Sequence, residues 1–178
     1  MKKLFALLLL SFVTASAQEV LDLGPHGQLA LYLLGDWRTS VSTLGKEITL
    51  TIKSAKDETN ASCTLAVSFP DSDRYDTKAK LKMRVEVDTA GFAPQSVEGR
   101  AIAKEFNLTS GFGFYCNFTD AELRGKPVKP GDYKVATAGT IKLSPQVLVN
   151  VFIGAEGFRD EAYQQLLGAI EGMEFRGR

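Results

Sequence analysis

Histidine and cysteine are nearly missing: the 178 residues hold one histidine, His26, and two cysteines, Cys63 and Cys116. A single imidazole removes most acid–base schemes built on histidine, and with them the zinc sites that need several nitrogen or sulfur ligands. It also makes a cysteine nucleophile remote, because only His26 could serve as its base. There is no serine nucleophile elbow, no phosphate-binding glycine loop and no zinc-ligand spacing. No cofactor is therefore implied. Charge of either sign is not in excess either, with 21 basic and 21 acidic side chains. Nothing in that balance draws the chain to nucleic acid or to an acidic bilayer. Long apolar runs are absent after the first residues, so no later segment reaches the ~20 residues of a membrane span.

The start of the chain does carry a signal. Met1-Lys2-Lys3 is followed by an apolar run from Leu4 to Val13 and then by Ala15-Ser16-Ala17. A basic segment, a short apolar stretch and a small-residue cleavage site form a secretory signal peptide. No cysteine follows the apolar stretch to carry a lipid. The expectation is a signal peptide over residues 1–17 and a periplasmic or secreted protein beginning at Gln18. Removing Lys2 and Lys3 leaves 21 − 2 = 19 basic against 21 acidic side chains, a charge of −2. The remaining 18–178 segment has the size of one domain with a core of its own.

That core is organised by Gln146–Ile153. Val147, Val149, Val151 and Ile153 share one face of a strand, and Leu148 and Phe152 share the other, interrupted only by Asn150. A strand apolar on both sides is a central one, covered above and below. Beyond the turn at Gly154–Gly157, the apolar residues Ala162, Tyr163, Leu166, Leu167, Ile170 and Met173 recur at helical spacing. Gly168 lies opposite this stripe, with Gly172 a turn later. Two glycines on a solvated helix face cost about 1 kcal/mol each relative to alanine. They mark either drift or a notch that a partner or another layer of the protein enters.

Upstream, Leu29–Leu34, Ile48–Lys53, Ser62–Phe69 and Phe112–Phe118 read as strands, the second and third forming a hairpin. Ile102–Leu108 alternates as well, and Tyr133–Thr137 and Thr140–Leu143 read as two short strands. Ala79–Val87 alternates strictly. As a helix it would put Leu81 and Val85 on one side and Met83 and Val87 on the other, so its period indicates a strand. Strands followed by a C-terminal helix give an α+β fold, an antiparallel sheet with that helix packed on its central strand. In an exported chain the two cysteines are expected to form one disulfide, because both point to the apolar side of their strands. The other reading is two buried thiols acting as small hydrophobes.

Four short motifs resemble the PsbP-like group of exported α/β/α proteins. They are Gly35-Asp-Trp37, Gly113-Phe-Tyr115 with Phe118-Thr-Asp120, Gly131-Asp-Tyr133 leading to Ala138-Gly-Thr140, and the final strand with its helix. The resemblance implies an antiparallel sheet between helical layers, a helix over 76–90, and a binding or accessory role without shared catalytic residues.

Asp71, Asp73 and Asp76 form the one acidic cluster. It lacks the glycine and distal glutamate of an EF-hand and reads as a solvated turn rather than a calcium loop. The aromatic run Phe112, Phe114, Tyr115 and Phe118 reads as core rather than as a ligand cavity. The function these features leave is a non-enzymatic exported protein that docks on another protein. An immunity or inhibitor protein against an exported toxin would be a subclass of it. The alternative is a carrier or sensor of a small apolar ligand held between sheet and helix. A hydrolase working with carboxylates alone comes third, and would need a cleft with two close carboxyl groups.

Overall fold

The structure, a computed structural model, describes residues 16–56, 60–129 and 131–178. Ser16–Asp22 (β1) and Gln28–Leu34 (β2) form a hairpin through a 3-10 turn at Gly24–His26. Trp37–Leu44 (β3), Glu47–Ser54 (β4) and Ser62–Ser68 (β5) follow, then the helix Lys78–Thr89 (α1), with a 3-10 turn at Ala90–Gln95. Lys104–Glu105 (β6), Phe112–Thr119 (β7), Val135–Ser144 (β8) and Val147–Ala155 (β9) lead to the helix Glu161–Glu171 (α2) and the short strand Glu174–Arg176 (β10). One seven-stranded antiparallel sheet runs in the order β3-β4-β5-β9-β8-β7-β6, and a smaller sheet in the order β1-β2-β10. The fold is α+β, with a helix on each face of the large sheet.

β9 lies at the centre of that sheet, between β5 and β8, as its two apolar faces imply. Val147, Val149, Val151 and Ile153 are buried under α2 and the small sheet, in a core that includes Leu29, Leu31, Leu65, Tyr163, Leu166 and Ile170. The expected stripe of α2 is the buried one. Tyr163, Leu166, Ala169 and Ile170 are inside, and Met173 just beyond the helix is fully buried. The opposite face of β9 is covered only in part. α1 sits over β7 and β8, so Leu148 and Phe152 are half-buried and Asn150 is exposed.

The strand expected over Ala79–Val87 is a helix. Local chemistry outweighs the two-residue period here. The Thr77 hydroxyl caps the first turn by accepting from Lys80 N–H at 3.3 Å, and Asp76–Lys80 and Arg84–Asp88 are ion pairs one turn apart. Lys, Arg, Met and Glu are also good helix formers. Leu81, Val85 and Thr89, spaced by four, pack with Phe114, Cys116 and Phe118 into a second, smaller core.

The disulfide expectation is also corrected: Cys63 and Cys116 are free and buried. Cys63 pairs across β9 and β8 with Ile153 and Thr137, and Thr137 pairs with Asn117. Paired residues share a face, so Cys116, the neighbour of Asn117, is on the other side of the sheet. Three strand spacings of ~4.8 Å separate β5 from β7, about 14 Å. A disulfide needs Cα atoms within about 7 Å.

Other boundaries shift for local reasons. The two short strands expected around Ala138-Gly139 are one continuous strand, β8. Gly139 is there for close approach: a Cβ on it would lie 2.4 Å from the Phe114 carbonyl oxygen. Of Ile102–Leu108 only Lys104–Glu105 pairs. The C-terminal helix is followed by β10, which pairs with β2. Of the expected signal peptide, residues 1–15 lie outside the described residues, whereas Ser16 and Ala17 open β1. Cleavage before Gln18 would leave the ladder from Gln18↔Tyr32 to Asp22↔Gln28.

Candidate functional site

Catalytic groups tend to show up as titratable side chains whose surroundings perturb them inside a cleft. Here the perturbed groups belong to the packing. Burial pushes the Cys63 thiol far up. Burial also raises Cys116, with the Glu86 charge adding to it and a hydrogen bond to Thr89 opposing. Tyr115 is raised by burial and by Glu171. Tyr163 is raised mainly by burial, against the lowering effect of its hydrogen bond to Thr137. That bond is part of a chain. The Thr137 hydroxyl donates to Asn117 Oδ1 at 2.7 Å, which leaves the Tyr163 hydroxyl to donate to Thr137 Oγ1 at 2.7 Å. The chain ties α2 to β8 and β7 through the buried core.

Two carboxylates are held below their usual range. A hydrogen bond from Lys80 is the main cause for Asp76. Burial works to raise Glu98, but hydrogen bonds from the Thr119 N–H at 2.7 Å and the Thr119 hydroxyl at 2.9 Å outweigh it. Glu98 thereby closes the free edge of β7.

The acidic cluster does not converge. Asp71 pairs with Lys46, Asp73 with Lys142 and Asp76 with Lys80. No group of three or more His, Cys, Asp or Glu among the described residues could hold a metal ion. The Asp73 pair is the tightest of the three, since the Lys142 side chain is almost fully buried and also donates to the Tyr75 carbonyl at 2.9 Å. It pins the loop before α1 onto β8.

A groove of about 630 Å³ lies where β3, β4 and β9 meet α2, between Trp37, Lys56, Glu156 and Gln165. It is open, and its walls are already committed to holding the fold. Trp37 Nε1 donates to the Leu34 carbonyl at 2.8 Å. Asn60 donates to the Lys129 carbonyl and to Glu156 Oε1, both at 3.2 Å, and accepts from Gly131 N–H at 3.1 Å. The Gly131-Asp-Tyr133 motif is structural in the same way. Tyr133 accepts from the Ser62 hydroxyl at 2.7 Å, and its ring lies against Gly154, where a Cβ would come within 2.5 Å. Phe114, Phe118 and Cys116 pack on α1, and the Tyr115 ring lies tilted against Phe106 with centroids 4.5 Å apart, so the aromatic run is core.

What remains is the surface. On α1, Leu81 and Val85 are inside, while Met83 and Val87 on the opposite side are 63% and 67% exposed. Phe92, Val97 and Ile102 continue the exposed apolar side chains along the segment that follows. The sequence did contain this signal, since its alternation placed the two pairs on opposite sides of a helix. On α2, Gly168 and Gly172 are both exposed. A Cβ on Gly168 would meet nothing within 4 Å, so no other layer of the protein fills the space beside it. Gly172 closes the helix, its N–H bonded to the Gly168 and Ile170 carbonyls. No helix among the described residues is long and apolar enough to cross a membrane. Comparison with protein families, curated proteins and solved structures finds no match to this chain.

Proposed function

We propose that the protein is an exported, non-catalytic accessory protein that docks on another protein through the outer face of α1. The double-sided character of α1 carries the reading. A helix on the surface of a globular protein normally turns polar residues outward. α1 turns Met83 and Val87 outward instead, on a helix whose own packing is already satisfied by Leu81, Val85 and Thr89. Isolated exposed hydrophobics are ordinary; five large ones between residues 83 and 102 are a concentration. Lys80 and Lys82 border the stripe, giving the polar rim around an apolar centre that protein interfaces use. An immunity or inhibitor protein would be one form of this role.

The grooves favour docking over transport of a small apolar ligand. A carrier needs a largely enclosed apolar cavity, whereas these two grooves are open, and Lys56 and Asn60 line both of them. Export rests on the first 17 residues, and N-terminal sequencing of the exported protein is expected to start at Gln18. Affinity capture from the exported fraction tests the role, with a retained protein partner as the expected result. A lipid copurifying in stoichiometric amount in native mass spectra, with no protein partner, would favour the carrier instead.

A further inference from the structure

We infer that β3 is a pairing edge for a second copy of this chain, giving a symmetric dimer with Val41 on the two-fold axis. The two edges of the large sheet are treated differently. At one end β7 is closed off: β6 pairs with it, Val97 N–H donates to the Thr119 carbonyl, and Glu98 takes the Thr119 N–H and hydroxyl. At the other end β3 runs eight residues in unbroken register with β4, and no strand among the described residues lies on its outer side. Proteins usually guard such an edge with proline, lysine, a bulge or a short strand. β3 has no proline, lysine or bulge, and its single charged side chain, Arg38, sits near its start.

Its sequence is symmetric about its middle. Thr39-Ser40-Val41-Ser42-Thr43 reads the same in both directions. An antiparallel copy centred on Val41 therefore sets Val41 against Val41, Thr39 against Thr43 and Ser40 against Ser42. The only charged residue of the strand, Arg38, falls opposite Leu44, so no like charges meet. Val41 and Leu44 are 57% and 84% exposed in the single chain. The pairing covers Val41 with its own copy and Leu44 with the aliphatic stem of arginine.

The backbone faces the right way as well. β3 and β4 join through the two-residue turn Gly45-Lys46, with Gly45 at φ +59°, so Leu44 and Glu47 are the hydrogen-bonded closing pair. Alternation then sends the N–H and C=O groups of Thr43, Val41 and Thr39 away from β4. Those three are the residues that the Val41-centred register pairs. On the order of six backbone hydrogen bonds would join two seven-stranded sheets into one. This surface is distinct from the α1 stripe, which lies over β7 and β8 at the other end of the sheet.

Sedimentation velocity over a range of protein concentrations tests the dimer. The parent is expected to approach twice the monomer mass as concentration rises. Val41→Lys and Val41→Glu, each alone, place like charges opposite each other on the axis and are expected to weaken association roughly tenfold or more. An equimolar mixture of the two is expected to associate again, since residue 41 then faces the opposite charge. Val41→Pro removes an outward N–H without touching the β3–β4 ladder and is expected to stay folded and monomeric. The inference is overturned by a parent that stays monomeric at every concentration, by a Val41→Lys dimer as tight as the parent's, or by a mixture that fails to associate.

Discussion

The two cysteines show how much a single side chain's surroundings decide. Both are fully buried and both are shifted up by that burial, so neither supplies thiolate at neutral pH. Thiol titration is expected to find no reactive thiol in the folded protein and two after denaturation without reductant. Alternation along a strand correctly placed both residues on apolar faces. It could not say which side of the sheet each face belonged to, because that depends on strand order. Tyr163 is the polar counterpart. Tyr163→Phe leaves Thr137 Oγ1 without its donor inside the core, and is expected to cost about 1–2 kcal/mol in denaturant unfolding. The tyrosine's own value is raised in the folded state, so the folded form holds its proton more tightly than the unfolded form. Its contribution is complete below the ordinary value near 10 and is lost as pH rises through the raised one. The alkaline decline in stability is therefore expected to be smaller in Tyr163→Phe. Gly168→Ala meets open space and a helical backbone, and is expected to stabilise by up to ~1 kcal/mol. A loss of stability would mean that the space beside Gly168 is filled.

Among the elements, α1 has one side that holds the fold and one that does not. Its outer side chains touch little, so Met83→Glu with Val87→Glu is expected to change unfolding free energy by no more than about 0.5 kcal/mol per site. Leu81→Ala, on the inner side, is expected to cost about 2–4 kcal/mol by opening the small core. The loop leading into α1 hangs on Lys142. Asp73→Asn would leave that buried ammonium without an opposite charge, held by the Tyr75 carbonyl and the face of the Phe112 ring. A fully buried pair broken this way loses about 3–5 kcal/mol. Asp73 is a third exposed, so a loss of about 2 kcal/mol in chemical unfolding is the expected result. The strands with one or two clean apolar faces, β5, β7 and β9, could be read directly from the chain. So could α2, whose stripe has a single side. α1 could not, because apolar residues on opposite sides of a helix imitate a strand's alternation. β3 went unread for the opposite reason. An edge strand exposed on both sides carries no apolar alternation, and half of Trp37–Leu44 is serine or threonine. β10 is simply too short to leave a pattern.

At the scale of the molecule, the large sheet is asymmetric. One face is closed by α2 and the small sheet, while α1 covers only the β7–β8 half of the other. Of the two depressed carboxylates, Glu98 ties its loop to β7 and Asp76 pairs with Lys80 in the first turn of α1. A carboxylate with a lowered folded value stabilises above the unfolded value of about 4 and stops doing so as pH falls through the folded one. Melting temperature is accordingly expected to fall below about pH 4, with a smaller fall in Glu98→Gln. The layered α+β arrangement and its central strand were legible in the sequence, since they follow from apolar periodicity alone. The exposed apolar side of α1 was legible only as a disfavoured alternative, because exposure is decided by which layer α1 meets. The role assigned to that stripe stands or falls on one comparison, affinity capture from the exported fraction with the parent and with Met83→Glu/Val87→Glu side by side. The parent is expected to retain a protein partner that the variant loses while keeping its melting temperature. The same partner held equally by both, or no partner held by the parent, would contradict docking through α1.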